Sequence, residues 1–187
     1  MKILSKVASA MILSTGLLMA SSYSVDNAHS NVGFTVKHMM VTNVHGKFTS
    51  YDAKVEFDDA TKTFKKLVAN IDTNSIDTGI EKRDNHLRSD DFFAVEKFPK
   101  MTFEMTSYKA DGDDGKMTGN LTIRGITKSV VLEVEDISIL GDKVGFSIEG
   151  KINRQDFDLK WNKAIELGGV AVSDEVKIKV DIEAKKQ

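Results

Sequence analysis

The chain has 187 residues, 29% of them charged, a formal net charge of −2 and no cysteine. That length predicts one domain, and the absence of cysteine excludes disulfides, thiolate catalysis, cysteine-ligated zinc and lipid attachment through an N-terminal cysteine. No cluster of lysine or arginine stands free of neighbouring carboxylates, so nucleic acid is not an expected partner.

In chain order, Lys2 and Lys6 precede an apolar run from Met11 to Met19, which ends in the small residues Ala20-Ser21-Ser22. This is the pattern of a secretory signal peptide over residues 1–22, followed by a single domain over 23–187. The run is interrupted by Ser14, Thr15 and Gly16 and falls short of the roughly 20 apolar residues that span a bilayer. No transmembrane segment is expected once the leader is cut, and loss of its two lysines takes the formal charge from −2 to −4.

Asn31 to Val41 alternates Val32, Phe34, Val36, His38 and Met40 against Gly33, Thr35, Lys37 and Met39, the period of a strand. Lys47 to Phe57 is expected as one long strand whose change of phase after Phe48 marks a bulge or bend. Asp58 to Lys62 is turn chemistry, and Phe64 to Thr73 returns as a strand.

Asn70 to Pro99 then breaks the β pattern. Thr78-Gly79-Ile80-Glu81 has the spacing of a capping box, which predicts a short helical insertion near residues 79–95, with Ser89 capping a second turn. Arg83, Asp84, His86, Arg88, Asp90 and Asp91 crowd there beside Phe92-Phe93, and Pro99, the only proline, restores extended geometry. Arg83, His86 and Arg88 have two readings at this stage: contacts to a polar or phosphate head group, or ion pairs with Asp84, Asp90 and Asp91.

Beyond Pro99, Met101, Phe103 and Met105 alternate with polar residues up to the loop Asp111 to Gly115. Hairpin-linked strands follow, with Arg124-Gly125 and Gly141-Asp142 as turns and Gly145 and Gly150 at points of curvature. Asp156 to Gly169 is irregular and contains Trp161. The last strand alternates Val176, Ile178, Val180 and Ile182 with charged residues.

About eight long amphipathic strands joined by tight turns predict an all-β antiparallel fold, and the unprotected terminal strand favours a closed barrel over an open sandwich. Such a barrel either fills with its own side chains or holds one small ligand. Phe34, Val36, Phe48, Phe103, Met105, Leu132, Val134, Phe146 and Ile148 are the expected inward residues, joined by His38, Phe93 and Trp161 as candidate ligand contacts. The list alone fits a packed core as well as a ligand pocket.

The chain also resembles the YceI-like family of periplasmic polyisoprenoid-binding proteins. The resemblance rests on Asp26-Asn27-Ala28-His29-Ser30, Phe34-Thr35-Val36-Lys37-His38-Met39, Gly46-Lys47-Phe48, Asn70-Ile71-Asp72-Thr73 and Ser75-Ile76-Asp77-Thr78. It continues through Lys82 to Phe93, Phe98-Pro99, Leu121 to Lys128, Ile152 to Phe157, Trp161-Asn162 and Val172 to Val176, in order along nearly the whole mature chain. It implies a lipocalin-like barrel in the periplasm that holds a long isoprenoid or fatty-acid-like chain, with no catalysis and no cofactor, and it suggests a homodimer, to which Met39, Met40 and Val41 could contribute. One departure is Asp158, where the family more usually has glycine; it bears on a local turn. The competing classes are a metal-dependent hydrolase using His29, His38, His45 or His86 with carboxylates, for which no HExxH or GxSxG spacing exists, and an exported structural protein with a solid core.

Overall fold

The computed structural model describes residues 20–164 and 170–187. Most of the expected leader lies outside those residues, as does the Gly168-Gly169 pair. Its last two residues, Ser21 and Ser22, belong to the first strand.

Eleven β segments follow one another: β1 (Ser21–Val25), β2 (Asn31–His38), β3 (Thr42–Phe48), β4 (Tyr51–Asp58), β5 (Thr63–Asp72), β6 (Ile76–Asp77), β7 (Lys100–Asp111), β8 (Asp114–Ile123), β9 (Ile126–Leu140), β10 (Lys143–Asn153) and β11 (Val172–Lys186). Eight of them close an antiparallel barrel in the order β1-β4-β5-β7-β8-β9-β10-β11, with β11 returning to β1. The remaining three form an arm, because β11 also carries β2, then β3, then β6. The expected all-β antiparallel barrel with one short helix is therefore the observed fold.

β11 is the seam. One edge pairs with β10 from Asn153↔Glu175 to Lys143↔Lys185, while the other is shared between β2 (Val176↔Val36 to Asp181↔Asn31) and β1 (Val25↔Ala184 to Tyr23↔Lys186). The strand that looked exposed in the sequence thus has both edges paired, which removes the aggregation hazard of a free edge.

The turns follow their residues. Arg124 (φ 52°) and Gly125 (φ 73°) are both left-handed, as a two-residue hairpin of type I′ requires. Asp136 (φ 58°) is also left-handed, and there the inward phase of β9 passes from Leu132 and Val134 to Ile137 and Ile139.

Two local expectations need correction. Lys47 to Phe57 is not one bulged strand: Thr49 and Ser50 separate β3 from β4, the Thr49 amide and hydroxyl donating to the Ser75 carbonyl and the Ser50 amide to the Ser75 hydroxyl. The helix is shorter than 79–95, spanning Glu81–Arg88 (α1), and its N-cap is Ile80 with no side-chain cap. The buried Asp84 carboxylate accepts from both the Thr78 amide and hydroxyl, so Thr78 is held from within the helix instead of capping it. Ser89 donates back to the His86 carbonyl, and residues 89–97 form turns rather than a second helix.

A candidate lipid cavity

The barrel interior has a filled base and a hollow flank. At the base, Phe64 packs edge-on against Phe57, Tyr108 and Phe146 at centroid distances of 4.9, 5.0 and 4.9 Å. Met117, Val134 and Val144 are fully buried beside them. Above this base lies a cavity of about 220 Å³.

One wall of the cavity is β11, which contributes Val172, Val176, Ile178, Val180 and Ile182. At about 3.3 Å per residue these side chains line a path on the order of 30 Å long. Val32, Phe34 and Val36 of β2 lie beside them, and Leu67, Ala69, Ile71, Met101, Phe103, Leu121 and Ile123 face them across the hollow. Leu87 of α1, with Phe92 and Phe93 of the following turns, covers the space, and Phe93 meets Phe48 edge-on at 5.8 Å. Among the described lining residues, Asp52 and Arg154 alone have ionisable side chains besides Tyr51.

Close backbone approach shapes this wall. A Cβ on Gly46 would sit 2.3 Å from the Phe34 ring, and one on Gly119 would sit 2.3 Å from the Phe103 ring. Glycine at both positions lets an aromatic side chain lie flat across the neighbouring strand at the cavity edge.

Among the expected contacts, Phe34, Val36, Phe48, Phe93, Phe103, Phe146 and Ile148 line the cavity. Leu132 and Val134 point inward but are buried outside that lining. Met105 is half-buried beside a register shift in β7. His38 shares the phase of Phe34 and Val36 yet is exposed, because it is the last residue of β2, paired to Thr42 and Val172 at the hairpin end. Trp161 packs outside the cavity lining, edge-on to His86 at 4.9 Å and tilted on Phe92 at 5.3 Å. The β11 run was absent from the expected contacts, although its alternation was plain.

The charged excursion is internally bonded. Arg83 donates through Nε to Thr78 Oγ1 and through Nη2 to the Thr78 carbonyl, each at 2.7 Å. Arg88 donates to the carbonyls of Asn74 and Ile76 at 2.9 and 2.8 Å and to Asn85 Oδ1. His86 is 2.9 Å from Asp91, and Asp90 is taken by Lys97 at 2.8 Å. The two arginines therefore spend their donors on carbonyls and uncharged side chains, not on the expected carboxylates, and neither they nor His86 line the cavity.

Arg154 has a role the sequence reading did not assign. Its guanidinium is 97% buried and uses all five donors: Nε to Ser173 O, Nη1 to Leu159 O and Trp161 O, and Nη2 to Val172 O and Asp174 Oδ1. Burial pushes its pKa below the ordinary guanidinium value, with Asp174 acting the other way. It ties the segment after β10 to the start of β11 and closes that part of the cavity wall. Asp158 sits in the same segment in the left-handed region (φ 60°, ψ 22°), which gives the physical reason a glycine suits that position. This chain keeps the turn with aspartate, paired to Lys160 at 2.7 Å.

One histidine–carboxylate cluster occurs among the described residues: Asp26, His29 and Glu183, whose ligand atoms lie within 4.8 Å of one another at the corner between β1 and β2. Lys143 Nζ stands 2.5 Å from Glu183 Oε1, so a cation already occupies that carboxylate. His45 bonds Thr35 at 3.0 Å on β2, apart from this corner.

Similar proteins share this architecture. "Protein YceI" of Salmonella newport is 36% identical over 184 residues, covering 95% of this chain and 93% of the relative. The solved structure of a Campylobacter jejuni YCEI protein is 42% identical, with a TM-score of 0.72 over 88% of this chain and 98% of that one. BcnA of Burkholderia cenocepacia is 28% identical, with a TM-score of 0.76 over 85% and 98%. A polyisoprenoid binding domain from Saccharophagus degradans has the same fold at 18% identity, with a TM-score of 0.64 over 90% of this chain and 99% of that domain. The family profile of the YceI-like domain matches residues 23–184, and the chain belongs to that family.

Proposed function

We propose that the protein is a non-enzymatic carrier that holds one long apolar chain, polyisoprenoid or fatty-acid-like, inside its barrel in the periplasm. The observation that carries this reading is the cavity, lined almost wholly by hydrocarbon, with five residues of β11 along one wall. About 220 Å³ is below the roughly 300–1,000 Å³ of pockets for drug-sized molecules, so taking up a long chain requires the partly exposed side chains of the β2 and β11 wall to move apart. Each methylene buried contributes about 0.8 kcal/mol, offset in part by the cost of immobilising the chain. The description of the S. degradans neighbour as a polyisoprenoid binding domain supplies a candidate ligand class.

The leader expected over residues 1–22 fits export, and a carrier of this kind would keep an insoluble lipid dispersed in an aqueous compartment. With Arg83 and Arg88 engaged internally, the head group is left to solvent at the cavity edge, and selection falls on the tail.

Mass spectrometry of solvent extracts from natively purified protein tests the proposal. The expected result is about one long-chain lipid per protein, absent from Ala69→Phe, in which a ring fills the hollow beside Phe103. A parent protein that yields no lipid and takes up no added polyisoprenoid overturns it.

A further inference from the structure

β2 and β3 meet in a hairpin whose tip, Met39-Met40-Val41, displays large apolar side chains that are 40, 63 and 78% exposed. Val170, 39% exposed, lies alongside, where the Met39 amide donates to the Ala171 carbonyl at 2.9 Å. The backbone makes this choice of residues costly. Met39 (φ 51°) and Met40 (φ 59°) are consecutive left-handed residues in a turn closed by the Val41 amide on the His38 carbonyl at 3.1 Å. L residues with side chains resist that conformation, and Asn-Gly is the ordinary choice for it. The Arg124-Gly125 turn of this chain uses glycine in the same situation. Two methionines here worsen both folding and solubility, so their side chains need another reason.

Their position supplies it. The cavity lining reaches Val36 and Val172, and Val172 pairs with His38 at the base of the tip. Exposed Lys37, His38 and Lys163 flank the tip, while the carboxylates at the near end of β11, Asp174 and Glu175, are paired to Arg154 and Lys151. The apolar surface here is one hairpin tip with Val170 beside it, and a bilayer needs no matching face from a second copy. A shallow apolar tip with basic flanks matches the interface of an anionic bilayer.

We propose that the Met39-Met40-Val41 tip inserts into the surface of a phospholipid bilayer and docks this end of the cavity against it. The docking uses outward side chains and holds whether or not the cavity takes a lipid.

Vesicle flotation with protein recovered in soluble form tests it, comparing the parent with a Met39→Asn/Met40→Gly variant that shares the same N-terminus. With phosphatidylethanolamine:phosphatidylglycerol vesicles (3:1), the parent is expected to float and the variant to partition at least about tenfold more weakly, as removal of two large apolar side chains requires. The variant's Tm should equal or exceed the parent's, since Asn-Gly suits the turn, so the loss cannot come from unfolding. Binding should also weaken with salt and on pure phosphatidylcholine. Equal flotation of parent and variant, or no flotation of the parent, overturns the proposal. So does a parent dimer in sedimentation that the variant abolishes while flotation is unchanged, which makes the tip a self-association site. Lipid extracted from both proteins separates this idea from the carrier reading: a flotation difference with no cargo in either sustains docking alone.

Discussion

The base and the flank of this barrel are built from the same alternation of inward and outward residues, yet one is solid and the other hollow. At the base the inward residues include Phe57, Phe64, Phe146, Tyr108 and Met117, long enough to meet across the barrel. Along the flank, apart from Phe34, they are Val32, Val36, Val176, Ile178, Val180 and Ile182, all inward and all still partly exposed. Short β-branched side chains on a curved wall do not reach the opposite wall, so the strand pattern persists while the centre stays open. The wall made by β2 and β11 is short-chained apart from Phe34, and the rings facing it, Phe103 and Phe146 among them, do not fill the gap it leaves.

Substitutions that ignore this distinction should have unequal effects. Phe64→Ala removes the ring at the centre of the aromatic cluster and is expected to cost about 4 kcal/mol in urea unfolding. Arg154→Lys keeps the charge but not the five-donor fork, leaving carbonyls of residues 159–173 without partners. A loss of about 3 kcal/mol is expected, with a red shift in emission from Trp161, the only tryptophan. Val180→Ala on the flank should cost only about 1 kcal/mol, because the side chain is partly exposed, yet it should weaken retention of a bound chain. A loss as large as that of Phe64→Ala would show the flank to be packed and would erase the contrast.

The smallest effect belongs to the corner between β1 and β2. The hydrogen bond between His29 and Asp26 raises the His29 pKa and lowers that of Asp26. The pair's contribution is lost as pH falls through the lowered Asp26 value and as it rises through the raised His29 value. It is complete only between the ordinary carboxylate and histidine ranges, about pH 4 to 6.5. Both groups are exposed, so the Tm difference between parent and His29→Gln should be slight, greatest in that window and smaller as pH rises beyond it.

Strand alternation and turn residues made the barrel and most of its hairpins legible, because period two fixes which face a residue takes. Depth along the barrel axis is set by register and stagger, which no single strand reveals. For that reason Leu132 and Val134 were expected at the ligand and belong to solid packing, while the β11 residues, equally inward, line the hollow. The capping box at Thr78 misled for a different reason: Asp84, six residues on, supplied the acceptor that local spacing had assigned elsewhere. Arg154 was invisible because its partners are mainly backbone carbonyls of residues 159–173, and carbonyls leave no mark in a sequence.

The seam strand has one more consequence. Its fifteen residues close both the β10 edge and the β1–β2 edge. Without them the sheet from β1 through β10 has two free edges and no closure. A break in β11 therefore frees both edges at once, so the barrel opens and shuts as a unit with this strand as its latch.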